Sequence, residues 1–120
     1  MLFTDTERRF VTLRLSEAAG RASLNAVGVP VVTPATARWF SASFTRLGRD
    51  LGNIHIDELT PQAIHNWHQS LMTTASPVTA NSYLRAVRTV LARLTRFGYL
   101  AANPAAGVPY AKEPMRRPKA

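Results

Sequence analysis

Between residues 77 and 97 the apolar positions recur at three- and four-residue steps. Tyr83, Leu84, Val87, Val90, Leu91, Leu94 and Phe97 fall on one side of a helix. The start and stop are also written in the chain. Ser76 suits an N-cap, Pro77 the first helical position and Gly98 a left-handed residue just past the end. The same N-cap-then-proline device recurs at Thr33-Pro34 and Thr60-Pro61. The first predicts a helix over 34–51, with Phe40, Phe44, Leu47 and Leu51 as its stripe and Gly52-Asn53 as its stop. The second predicts a helix from 61 to about 74, with Ile64, Trp67 and Leu71 inward and Leu59 stapled to Ile64.

The remaining segments read less sharply. Phe10, Val11, Leu13 and Leu15 partly alternate with polar residues, and a short helix is expected from Ser16 to about Val27, ended by Gly28. IHIDEL (54–59) reads as an extended link with Ile54, Ile56 and Leu59 available for burial. Asn103-Pro104 caps a last short turn whose Val108 packs back on the core. Residues 109–120 hold three prolines and read as an exposed tail. The sum is an all-α bundle of four to five helices. Its divisions are an N-terminal segment, 1–32, a helical domain, 33–110, and a linker, 111–120.

Charge changes the picture from bundle to binder. Fifteen Lys and Arg stand against seven Asp and Glu in 120 residues, a formal net charge of +8. No acid occurs from residue 59 to 112. Such an imbalance points to nucleic acid first and to an anionic membrane surface second. No apolar run is long enough to span a bilayer, and the N-terminus does not read as a signal peptide. The expectation is a soluble cytoplasmic protein associated with the nucleoid, without membrane partners.

Catalytic chemistry is hard to build from this inventory. There is no cysteine, which excludes disulfides, thiolate zinc sites and a cysteine nucleophile. His65 and His68 share a helix, but the next helix supplies no further ligand, so no metal is expected. No phosphate-loop, dinucleotide or nucleophile-elbow pattern appears, and no cofactor or catalytic residue is assigned.

Two helix starts lack acids and carry short hydroxyl or amide side chains, with an arginine a turn or two on. One is Thr33, Thr36 and Arg38. The other is Ser76, Thr79, Asn81, Ser82 and Arg85, with Arg88 on its flank. Helix N-termini and Lys/Arg side chains are the common phosphate contacts. The tail adds Lys112, Arg116 and Arg117. Helix 61–74 has no Lys or Arg and reads as scaffold. Arg93 and Arg96, farther along the last helix, read as solvated surface.

The order T-P-A-T-A-R-W-F-x3-F-x2-L, I-D-E-L-T-P-Q-A-I-x2-W, S-P-V-T-A-N-S-Y-L-R-A-V-R-T-V-L and G-Y-L-A-A-N-P-A resembles the core-binding domain of the tyrosine recombinase, or phage-integrase, family over residues 33–110. Residues 1–32 depart from the pattern. The resemblance implies a SAM-like helical bundle that forms half of a clamp on duplex DNA. A catalytic domain would follow a basic, proline-containing linker, which KEPMRRPKA resembles. It implies that the starts of helices 34–51 and 77–97 face the major groove, and that other protomers share the DNA. This chain would carry no catalysis itself; the nucleophilic tyrosine would lie in the domain beyond. The alternatives are a free-standing helical DNA-binding regulator and a protein-interaction bundle.

Overall fold

Short polar side chains set three of the helices. In the computed structural model, which describes residues 13–113 apart from residue 26, the elements are α1 (Leu15–Ala22), α2 (Pro34–Leu51), a one-turn 3-10 helix (Ile56–Glu58), α3 (Pro61–Leu71) and α4 (Pro77–Arg96). Thr33, Thr60 and Ser76 each accept a backbone N–H three residues on, at 3.2, 3.1 and 3.2 Å. Each is followed by proline at the first helical position. Replacing Ser76 or Thr33 by alanine is expected to cost about 1 kcal/mol, read as a lower urea midpoint.

Two of the C-terminal ends, those of α2 and α4, are followed by glycines. Gly52 and Gly98 sit at φ 85° and 91°, a region that other L-residues rarely adopt. At Gly98 the closure is a full Schellman motif: Gly98 N–H donates to Thr95 O and Tyr99 N–H to Leu94 O, at 3.1 and 2.9 Å.

One buried cluster joins all four helices. Leu15, Ala18 and Ala22 of α1, Phe40, Phe44 and Leu47 of α2, Ile64, Trp67 and Leu71 of α3, and Leu84, Val87, Leu91 and Leu94 of α4 are all buried in it. The expected all-α bundle is therefore observed among the described residues, with the expected inner faces. Trp67 links three helices. Its Nε1–H donates to Asp50 Oδ2 of α2 at 2.9 Å, and its ring lies 6.4 Å from that of Tyr83 on α4.

Four features differ from the expectations. Helix α1 stops at Ala22 rather than about Val27, because Ser23 and Asn25 turn the chain. Ser23 Oγ bonds back to Ala19 O, and Asn25 Oδ1 accepts the N–H groups of Val27 and Val29. Its N-cap is Arg14 rather than Ser16; the Arg14 N–H goes to Glu17 Oε1 at 3.0 Å. The 54–59 link is not simply extended: its middle is the 3-10 turn, closed by Glu58 Oε2 accepting the His55 N–H at 2.8 Å. Helix α3 ends at Leu71, three residues short of the expected end, and residues 72–75 form turns. The alternation read at Phe10 and Val11 lies outside the described residues.

Candidate nucleic-acid interface

The two acid-free helix starts share a small motif, Ser/Thr-Pro-x-Thr. In each, the capping hydroxyl also donates to the hydroxyl of the threonine at the third helical position. The distances are 3.0 Å for Thr33 to Thr36 and 3.1 Å for Ser76 to Thr79. Helix α3 lacks the second hydroxyl, since Ala63 stands there. Thr33 and Arg38 are exposed and Thr36 is half-buried. Ser76, Thr79 and Arg85 are exposed, and Ser82 is half-buried.

These starts sit in different surroundings. The loop before α2 lies beside the end of α1, where the Val31 N–H donates to Ser23 O at 3.0 Å. The first turns of α4 lie beside the segment that leaves the bundle. Asn103 accepts the Ala105 N–H and donates to Arg88 O, at 2.9 and 3.1 Å, so the chain turns back along α4. Ala105 and Val108 are buried in that turn, as expected for the 103–108 segment. Tyr110 then lies against Arg85 and Arg88, its ring centre 5.6 and 5.4 Å from their guanidinium carbons.

Asn81 is the main correction. It was expected on the DNA-facing surface, and it is 1% exposed. Its Oδ1 accepts the Ala111 N–H and its Nδ2 donates to Ala111 O, both at 2.8 Å. This two-way grip fixes the amide orientation. Asn81 Oδ1 therefore also faces His68 Nε2, 2.9 Å away, and His68 carries its hydrogen on that nitrogen. His68 is fully buried, and among the described residues its Nδ1 has no hydrogen-bond partner. The asparagine ties α3, α4 and the exit segment together, and the bundle's contacts reach Ala111. Pro109 and Tyr110 are exposed, as expected of the tail, but Ala111 is held to the bundle.

Arg88 is also only partly a surface group. It is half-buried and donates to Ala106 O, so its guanidinium already holds the exit turn. Arg93 is not solvated surface either; its Nε donates to Ala22 O at 2.7 Å and pins α4 to the end of α1. Arg21, which the sequence did not single out, donates to Tyr99 Oη at 2.8 Å and stacks on Phe97. Arginine of this kind appears in sequence as positive charge, and only its partners reveal a packing role. Lys112 is exposed one residue beyond the Asn81 grip. Arg116 and Arg117 lie outside the described residues.

What remains on the surface of early α4 is a capped N-terminus with two hydroxyls, then Ser82 and Arg85, with Lys112 leaving nearby. Backbone N–H groups, hydroxyls and a guanidinium together suit phosphate oxygens. Among the described residues no cluster of three or more His, Cys, Asp or Glu could hold a metal ion, and no helix is long and apolar enough to cross a membrane. Comparisons with family models, with curated proteins and with solved structures give no match.

Proposed function

We propose that this chain is a duplex-DNA-binding module, the core-binding domain of a tyrosine recombinase of the phage-integrase family. Its task is to hold one side of the duplex while strand cleavage and rejoining are carried out by a catalytic domain outside residues 1–120, with other protomers on the same DNA. In a cell it would work with the nucleoid in the cytoplasm. One observation carries the reading: the exit segment is gripped at Ala111 by Asn81, beside the acid-free start of α4. A clamp needs its second half to start from the surface that meets the DNA. Lys112, directly after the residue that Asn81 grips beside the start of α4, supports that reading.

The test is fluorescence anisotropy of this chain with a labelled duplex across a salt series. Affinity should fall steeply as salt rises, because phosphate contacts release counterions. A helical bundle that meets a protein through apolar surface would show little such dependence. Arg85→Glu should remove duplex binding while the far-UV circular dichroism stays unchanged. Arg85 suits the test better than Arg88, whose loss would also free the Ala106 carbonyl. Full affinity in the Arg85→Glu chain would overturn the assignment of this surface.

A further inference from the structure

Tyr110 is the aromatic residue of the segment that leaves the bundle along α4. Its side chain is 38% exposed, yet its backbone is fixed on both sides. Before it, Ala105 and Val108 are buried. After it, Ala111 exchanges two hydrogen bonds with Asn81, each at 2.8 Å. The ring centre lies 5.6 Å from Arg85 Cζ and 5.4 Å from Arg88 Cζ. Both distances are within the reach of a cation–π contact, about 6 Å. The Tyr110 hydroxyl has no hydrogen-bond partner among the described residues.

The two arginines need this ring unequally. Arg88 is half-buried and already donates to Ala106 O, so it is fixed without the tyrosine. Arg85 is exposed and makes no hydrogen bond or ion pair among the described residues. Helix α4 carries no Asp or Glu that would draw it elsewhere. The Tyr110 ring is therefore what holds its guanidinium in place. An unheld arginine gives up rotamer freedom when it binds, and a fixed ring removes part of that cost beforehand. The ring supplies no conventional acceptor, so the N–H donors of Arg85 remain for phosphate oxygens.

We infer that Tyr110 is a positioning residue: its ring, held by the Asn81 grip on Ala111, orients Arg85 and so couples docking of the exit segment to duplex binding. This inference rests on the DNA-binding reading above and adds a regulating element to the same site. Such coupling is reciprocal. A docked segment favours the duplex, and a bound duplex favours the docked segment. The rival role for Tyr110 is direct, since tyrosine hydroxyls also bond phosphates.

The experiment is a double-mutant cycle on duplex affinity at low salt, read by fluorescence anisotropy. Tyr110→Ala should weaken binding about two- to fivefold. Tyr110→Phe, which keeps the ring, should restore wild-type affinity. In an Arg85→Gln chain, Tyr110→Ala should cost nothing further, because no guanidinium is left to orient. Duplex should also slow hydrogen exchange at the Ala111 amide in the wild-type chain, and not in Tyr110→Ala. An alanine loss of the same size in both backgrounds would show a role confined to holding the segment and would overturn the inference. A phenylalanine loss as large as that of alanine would make the hydroxyl the contact and overturn it too. Full affinity in Tyr110→Ala would do the same, and each of these results leaves the DNA reading standing. Absence of salt-dependent duplex binding by the wild-type chain would remove the DNA reading, and this role with it.

Discussion

Replacing Trp67 with alanine is expected to lower the unfolding free energy by about 3–5 kcal/mol. Domains of this size hold only about 5–15 kcal/mol in total. The side chain is 2% exposed and fills the space between α2, α3 and α4. Removing it leaves a void that the three helices close only in part, because each is held elsewhere by its own cap. The Asp50 carboxylate also loses its indole donor, but Asp50 is exposed, so water takes much of that role. Trp67→Phe separates the two effects. It keeps most of the buried ring and loses the bond to Asp50, so its cost should stay below half that of alanine. Urea unfolding measures both. A shift in midpoint with an unchanged slope would report stability alone. Equal losses for phenylalanine and alanine would show that the Asp50 bond, and not the packing, sets the value of this position.

The contrast between legible and hidden features is physical. Helices α2, α3 and α4 could be read because each carries its start locally, in a hydroxyl followed by proline. Their apolar stripes repeat at the helical period, and Gly52 and Gly98 mark the ends of α2 and α4; α3 has no such stop, and its end fell three residues short of the expected one. Local signals of this sort depend on a few neighbouring residues, which the sequence displays in order. Helix α1 was misjudged because its end is set by side chains bonding to backbone. Asn25 takes two N–H groups of the following loop, and Ser23 bonds back to Ala19. Asparagine and serine do this in some contexts and merely cap or hydrate in others.

The candidate site shows the same division more sharply. Thr33 and Ser76 were readable, as caps, since a hydroxyl before proline at a helix start is a local signal. Asn81 was not. At about 100° per residue it falls on the flank of α4, where nothing in the sequence said that residues 109–111 would lie over it. Its partner is a backbone thirty residues away, and any residue at 111 other than proline would offer the same N–H and carbonyl. The arginines follow suit. Arg85, Arg88, Arg93 and Arg96 look alike in sequence, yet two of them hold carbonyls of distant segments and two do not. Among the described residues, a count of arginines therefore overstates the free positive surface. There it is better measured by the exposed Arg38, Arg49, Arg85 and Arg96, which hold no hydrogen-bond or ion-pair partner among those residues, together with exposed Lys112.

Replacing Asn81 with alanine should lower stability by about 2–3 kcal/mol and release the exit segment. Three groups lose their partner: the Ala111 N–H, the Ala111 carbonyl and the His68 Nε2–H. Ala111 is half-buried, so its backbone recovers hydrogen bonds to water once the segment lifts. His68 has no such recourse. It is fully buried, and among the described residues its other ring nitrogen already lacks a partner. A buried donor left unsatisfied costs about 1–3 kcal/mol, and this term dominates the expected loss. His68→Phe tests that division. It removes the stranded donor but keeps the Asn81–Ala111 grip, so the Ala111 amide should stay protected from hydrogen exchange. In Asn81→Ala the same amide should exchange at the rate of an open chain. Because both changes act on one network, the double variant should cost less than the two single losses combined. Lifting of residues 109–111 also takes Tyr110 off Arg85, so the tyrosine ring resonances should shift toward free-chain values. Undiminished protection at Ala111 in the alanine variant would mean that the Arg88–Ala106 bond and the burial of Val108 hold the exit segment without the asparagine.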